Sequence, residues 1–304
     1  MSLHFTKRGW AYLALEFAFA WGACGIAWAA GLRSGSPAFL VFASFFMLTP
    51  LATALIVSAA RPSGLPLKEV LALRFRMGWK NFFLSWLLFP ALALLTLGIS
   101  LLLPGVRYDP SMSQLIERLT KGMSPEKVAE LREMAGAAPP LLLTLVQGLA
   151  AGISINAVFG FGEEAGWRGF LVKELRGSSF WGASVFTGAV WGLWHAPLIL
   201  QGHNYPEHRV LGVFLMILFC VLLSPVFLYI RLRSKSAVAA AVAHGSMNAT
   251  AGLSIMPLAG GNDLTVGMTG LAGFVAAAGL LAALYLLDRR AKEPLMASRL
   301  GEDA

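Results

Sequence analysis

Blocks of about 20 uninterrupted apolar residues, separated by short polar connectors, recur along the whole chain. A helix needs about that length to cross the roughly 30 Å hydrocarbon core of a bilayer. The blocks show neither the alternation of a half-buried strand nor a sustained heptad pattern. They predict a bundle of about eight transmembrane helices, at residues 10–32, 37–60, 81–103, 140–172, 179–200, 210–230, 236–257 and 265–287.

Composition favours the same all-α integral membrane fold. The chain is 57% hydrophobic and 13% charged, whereas soluble domains carry about 25% charged residues. The formal net charge of +8 does not indicate nucleic acid, because Lys and Arg fall in short clusters between the apolar blocks and not on one face. Cys24 and Cys220 both lie inside apolar blocks, which excludes a disulfide framework or a CxxC metal site. We therefore expect the lipid bilayer, and no nucleic acid, as a partner.

The basic residues also predict the topology. With a cytoplasmic N-terminus, 17 of the 24 Lys and Arg residues fall on the inner side, and five of the other seven lie in the 104–139 loop, where the positive-inside rule is weaker. Both termini are therefore predicted to be cytoplasmic. The apolar run from Trp10 is too long for a signal peptide, so we expect a retained first helix. Within the long loop, residues 124–136 predict a short capped helix on the membrane surface, with a substrate gate as the alternative.

Ionisable side chains inside the hydrocarbon region cost several kcal/mol and mark function by default. Glu16 lies two turns from the basic N-terminus, so we expect it to snorkel to the interface. At 1.5 Å per residue, the other polar groups can meet near the bilayer midplane, although His195 is placed somewhat higher unless its helix is tilted. They are Glu163, Glu164, Arg168, His195, His244 and the neutral Asn248.

Spacing within each helix suggests how these groups are arranged. Glu164 and Arg168 are four residues apart and are predicted to form an ion pair. Glu163 lies about 100° further round the helix and is left free to face a water. A lone buried polar residue more often joins helices by hydrogen bonds. Six such groups at converging depth are more than helix adhesion needs.

The two histidines have partners at the same spacing. His244 and Asn248 project from one stripe and can both donate toward a single oxygen. Trp191 precedes His195 by four residues, so its ring is expected to fix that imidazole. His203 and His208 belong to a polar outer loop and are expected to be solvated, since a metal there would need partners beyond Glu207.

Three motifs within residues 140–257 carry a specific resemblance: Glu163-Glu164-x-x-x-Arg168, Trp191-x-x-x-His195 and His244-x-x-x-Asn248. In this order and spacing the chain resembles the CPBP family, which contains type II CAAX prenyl endopeptidases and bacteriocin-processing or self-immunity membrane proteins. One departure is Trp191, where the family usually has Phe. We expect three regions, namely 1–139 with three helices and the loop, 140–257 as the catalytic core, and 258–304 with the last helix and a cytoplasmic tail. A prokaryotic plasma membrane is the expected location.

The resemblance implies an intramembrane endopeptidase that cleaves a membrane-associated peptide or protein near its C-terminus, with a water held between Glu and His. Chemistry agrees, because Glu163 and His195 can activate a water while His244 and Asn248 stabilise the oxyanion. The supporting residues are Glu164, Arg168 and Trp191.

Alternatives remain for the cofactor and for the function. We expect no cofactor, but Glu163, His195 and His244 would form a zinc set with an open position, although they lack the HExxH spacing. A non-catalytic immunity or scaffold protein of the same fold would be expected to lose motif residues, and none is missing here. A transporter usually shows inverted repeats and interrupted helices in matching halves, and the sequence shows no such repeat.

Overall fold

The computed structural model describes residues 2–112 and 141–301, together with the isolated helical positions 117, 126, 129 and 133. Most of this part of the chain is helical, and its one sheet is an antiparallel pair of two-residue strands, β1 (Arg107–Tyr108) and β2 (Leu258–Ala259). The predicted all-α class is confirmed. Most of the predicted helix at 124–136 lies outside the described residues.

Helix boundaries follow the capping residues in the connectors. Thr6, Ser36, Ser179 and Ser236 each accept a hydrogen bond from a backbone N–H in the first helical turn that follows, which satisfies a donor that the helix itself leaves free. The first elements are α1 (Lys7–Ala29), α2 (Pro37–Phe46), α3 (Thr49–Ala60), α4 (Leu67–Val70) and α5 (Trp79–Ser100). The remaining elements are α6 (Leu141–Gly152), α7 (Ile155–Glu164), a π-helical turn (Ala165–Phe170), α8 (Leu171–Glu174), α9 (Phe180–Trp194), α10 (Ala196–Leu200), α11 (Arg209–Ser234), α12 (Ala237–Thr250), a 3₁₀ turn (Ala251–Ser254), α13 (Leu271–Asp288) and a second 3₁₀ turn (Leu295–Ala297).

The predicted count of eight membrane-spanning helices is not confirmed. In the described part of the chain six helical segments are long and apolar enough to cross a membrane, or seven if one bent pair is counted as a span. The predicted span 140–172 is that pair, because Ser154 is not helical and the chain bends by 50° between α6 and α7. The α-helix within the predicted span 236–257 is only the 14 residues of α12, which rise about 21 Å, and a 3₁₀ turn follows it.

Small residues bring α12 close to α7. A Cβ on Gly160 would lie 3.0 Å from the Ala241 carbonyl oxygen, and a Cβ on Gly245 would lie 2.5 Å from the backbone nitrogen of Ala157. Side chains of this size let helix backbones approach closely in lipid, where there is no hydrophobic force between helices. The close approach places His244 of α12 beside the end of α7.

Both described ends of the chain lie at one face of the bundle. The backbone N–H of Ser179 donates to the Ser2 carbonyl (3.1 Å), and the N–H of Leu300 donates to the Ser178 carbonyl (2.9 Å). The connectors that join them there are 61–78, 175–179 and 235–236, and we call this side the termini face. The predicted topology requires the two ends to share one side. That this side is cytoplasmic stays a prediction.

Candidate active site

A cavity of about 520 Å³ is lined by all four residues predicted to be catalytic, Glu163, His195, His244 and Asn248, and by Trp191. They come from α7, α12 and the end of α9. Much of the remaining wall is apolar, contributed by Leu40, Phe46, Met47, Leu198, Met216, Phe219, Met247 and Met268. The structure therefore brings the three motifs together around one space.

The Glu163 carboxylate is buried and held on one side only. Its Oε2 accepts a hydrogen bond of 2.7 Å from the indole N–H of Trp191. Its Oε1 lies 3.8 Å from His244 Nε2, which is too long for a hydrogen bond. Oε1 thus remains available to a water or a substrate. The sequence led us to expect that Trp191 orients His195, and the hydrogen bond to Glu163 was missed.

Glu164 joins two other polar residues of the site. Its Oε1 accepts from Arg168 Nη1 at 3.0 Å, which is the predicted ion pair, and from His244 Nδ1 at 2.8 Å. Since a carboxylate accepts, the Nδ1 of His244 carries a proton and Nε2 is the nitrogen that lies on the Glu163 side. Glu164 therefore orients His244 in addition to pairing with Arg168.

Arg168 sits on the π-helical turn and is completely enclosed. Its guanidinium carbon lies 4.5 Å from the Trp191 ring centroid and 4.8 Å from that of Phe227, an arrangement that stabilises a desolvated cation. Its backbone carbonyl accepts a 3.0 Å hydrogen bond from Nε of Arg231. π-helical turns occur frequently at functional sites. Regular α-helical spacing could not predict this one.

His195 is fixed at the end of α9. Its Nδ1 lies 2.8 Å from the carbonyl oxygen of Trp191. A carbonyl can only accept, so Nδ1 donates, and in the neutral ring Nε2 is an acceptor. The ring packs edge-on against Trp194, with centroids 4.8 Å apart. The aromatic ring in closest contact is therefore that of Trp194, since the Trp191 and His195 centroids are 5.8 Å apart.

Glu16 does not snorkel, so that prediction is wrong. The side chain is fully buried and accepts hydrogen bonds from Thr49 (2.7 Å), Thr53 (2.6 Å) and the indole of Trp194 (2.8 Å). These donors satisfy the carboxyl group inside the bundle, so it has no need to reach the interface. Through Trp194, α1 supports the position of His195. The spacing of the two threonines, four residues apart on α3, was the signal for this network.

Asn248 lines the cavity and is exposed. Its Nδ2 has a weak partner, the Met47 sulfur at 3.9 Å, so the carboxamide can hydrogen-bond a substrate. His203, which was expected to be a solvated loop residue, also lines the cavity and is half-buried. Burial lowers the pKa of His203 below its ordinary value. His208 instead bonds Asp263, with 2.6 Å between Nδ1 and Oδ1.

The three residues of the alternative zinc set are not assembled as metal ligands in this structure. Among the described residues, one group of three brings a ligand atom from each member within 4.8 Å of the others, and it is Glu207, His208 and Asp263 from the connectors 201–208 and 255–270. Glu163, His195 and His244 do not form such a group. Zinc donors lie about 2.0–2.2 Å from the ion, so these three would have to move closer together to hold one.

Residues 138–250 match the family model described as type II CAAX prenyl endopeptidase Rce1-like. This region is Rce1-like. The family resemblance inferred from the three motifs is confirmed, since every motif residue lies inside the matched region. At the level of the family, the match indicates a protease. No curated protein is significantly similar to the chain.

Part of the cavity wall lies outside the Rce1-like region. Leu40 and Met47 come from the segment that contains α2, and residues 267–269 precede α13. The buried Glu16 of α1 also lies outside it. The Rce1-like region therefore carries the polar chemistry, while flanking helices complete the apolar walls against which a substrate would pack.

Proposed function

We propose that the protein is an intramembrane endopeptidase that hydrolyses a peptide bond of a membrane-associated substrate near its C-terminus. One observation carries the proposal. The carboxylate of Glu163, anchored by Trp191 at 2.7 Å, faces the same cavity as His195, His244 and Asn248. The match to a family of endopeptidases supports it.

Two acceptors on the cavity wall suit the activation of a water. Among the described residues Glu163 Oε1 has no strong partner, and His195 Nε2 is an acceptor because Nδ1 donates to the Trp191 carbonyl. A water that donates to both would present a lone pair to a substrate carbonyl carbon. As the C–O bond forms, Glu163 takes the proton. The proton is then delivered to the leaving amine as the C–N bond breaks.

The carbonyl oxygen becomes an anion in that step and needs donors. Asn248 offers its Nδ2 protons, and His244 offers an Nε2 proton when both of its ring nitrogens are protonated. The carboxylates of Glu163 and Glu164 on the two sides of His244 balance that charge. Because these donors are already oriented, they stabilise the oxyanion without reorganisation during the reaction.

The proposal is tested by comparing membranes from cells with and without the protein. Mass spectrometry of C-terminal peptides should reveal at least one membrane-associated protein that is shortened only where the protein is produced. The fragment should appear again when the purified protein and that substrate are reconstituted. Identical C-termini in both membranes would contradict the proposal.

Asn248→Ala is expected to slow cleavage without abolishing it. Loss of one oxyanion donor typically costs about 10²–10³ in rate, and the effect should fall on kcat, because the donor acts mainly in the transition state. The measurement is the initial rate of fragment formation. Asn156→Ala is the matched control, since Asn156 also lines the cavity and should stay near the wild-type rate. Equal losses in both variants would remove Asn248 from the oxyanion site.

Cleavage is expected to survive treatment with a chelator. Glu163, His195 and His244 do not bring their ligand atoms within metal-binding distance of one another, and the proposed base and donors need no ion. Activity and metal content would be measured in the same sample. If activity is lost and only zinc restores it, the metal-free mechanism is wrong.

A further inference from the structure

We propose that the cavity receives its substrate from the side opposite the termini face, and that this side is extracytoplasmic. The protein would then act on exported or outward-anchored peptides whose scissile bond lies in the outer half of the bilayer. The identification of the occupant as a substrate rests on the proposed function, whereas the side of access does not.

The opposite face is built from connectors that are tied to one another. β1 pairs with β2, and the Tyr205 hydroxyl donates to the Thr269 carbonyl at 2.6 Å. Asp263 accepts from the backbone N–H groups of Glu207 and His208. The connectors 101–112, 201–208 and 255–270 therefore form one surface, away from the two ends of the chain.

The cavity belongs to this half of the bundle. Its wall includes Asn204, Ile255 and residues 267–269, all from connectors of the opposite face. Within the described chain, no connector of the termini face contributes to the wall. Leu40 lines the cavity and is 59% exposed, so the space is open and can admit an apolar chain from the surrounding lipid.

Between the site and the termini face, the interior of the bundle is filled by buried side chains. After Glu163 the chain runs toward the termini face through the π-helical turn and α8, where Trp167, Phe170 and Leu171 are all completely buried. The Arg168–Glu164 pair fills the level between them and the cavity. A substrate from the termini face would have to displace this core, which costs several kcal/mol for each large side chain removed from its contacts.

Charge decides which face is cytoplasmic. Two segments of the termini face, 61–80 and 289–299, alone carry nine exposed basic side chains, Arg61, Lys68, Arg74, Arg76, Lys80, Arg289, Arg290, Lys292 and Arg299. The connector 30–36, at the end of α1 away from the termini face, also belongs to the opposite face. With it and the first residue of α11, the described connectors of this face carry three exposed basic side chains, Arg33, Arg107 and Arg209. The acidic residues Asp109, Glu207 and Asp263 lie in the same connectors. Cytoplasmic connectors hold the excess of Lys and Arg. The open side of the cavity is therefore the outer side.

Single cysteines and a membrane-impermeant maleimide test the proposal in intact cells. Cys24→Ala and Cys220→Ala provide the background. Thr269→Cys and Ser44→Cys report on the cavity wall, while two matched serines report on the faces: Ser63→Cys on the termini face and Ser111→Cys on the opposite face, both exposed. Retained expression and thermostability show that each variant is folded.

We expect labelling at positions 111, 269 and 44 in intact cells, and at position 63 only after permeabilisation. Labelling of position 63 in intact cells, with 111 and 269 protected, would overturn the proposal because the topology would be reversed. Protection of 269 and 44 while 111 is labelled would overturn it because the cavity would not open outward. Labelling needs no proteolysis, so the expected pattern without any C-terminal fragments would leave the access route standing and refute the proposed function alone.

Discussion

Glu163→Gln is expected to abolish proteolysis while leaving the fold and substrate binding intact. The glutamine oxygen can still accept the 2.7 Å hydrogen bond from Trp191, and the side chain keeps its size. An amide cannot take the proton of the attacking water, so the substitution removes only the base. The measurements are fragment formation with a reconstituted substrate, binding of that substrate, and thermal unfolding in detergent.

His195→Ala should be similarly inactive, because the second acceptor for the water is lost. Glu207→Gln is the matched control, since Glu207 is an exposed carboxylate in the connector 201–208, and this variant should cleave at the wild-type rate. If Glu163→Gln and His195→Ala both process a genuine substrate normally, the protein is not this enzyme. The non-catalytic scaffold would then replace the protease.

Glu164→Gln and Arg168→Ala are expected to destabilise the fold as well as slow cleavage. Both side chains are almost fully enclosed, and removing one partner of a buried ion pair strands the other charge at a cost of about 3–5 kcal/mol. Glu164→Gln also weakens the acceptor that orients His244. Thermal unfolding in detergent measures the stability, and the rate per folded molecule measures the chemistry.

Arg233→Ala is the control for the loss of an arginine, because Arg233 lies on α11 and is exposed. It should unfold near the wild-type temperature. Unchanged stability for both Glu164→Gln and Arg168→Ala would argue against a structural ion pair. The role of Glu164 would then lie in the catalytic step alone.

The sequence predicts the helical class well because lipid imposes a single strong rule, the long apolar block. It predicts the number of spans poorly, because the interruption at Ser154 and the end of α12 at Thr250 depend on packing. A Cβ at Gly152, for example, would lie 2.8 Å from the Ser246 Cα on another helix. Such contacts leave no periodic signal within either helix.

In the site, too, contacts within one helix could be predicted from the sequence, whereas contacts between helices could not. Spacing within one helix predicts the Glu164–Arg168 pair, which the structure contains. Bonds between helices were missed, including Trp191 to Glu163, His244 to Glu164 and Trp194 to Glu16. Each joins residues at least 28 positions apart, and such partners are set by tertiary geometry, which single-helix periodicity does not encode.

The π-helical turn lets the segments before and after it face different neighbours, because it changes the rotation of the side chains about the helix axis. Before the turn, the hydrogen bonds of Glu163 and Glu164 to other helices fix the direction in which the side chains point. After the turn, the direction is fixed by Gly169, which must face Leu71 because a Cβ there would lie 2.6 Å from the Leu71 carbonyl oxygen. The turn closes through the N–H of Leu171 and the carbonyl of Gly166, so it holds one residue more than an α-helical turn. One residue is about 100° of rotation. Removing it would turn Glu163 away from Trp191 and Glu164 away from His244, or else turn Gly169 away from Leu71.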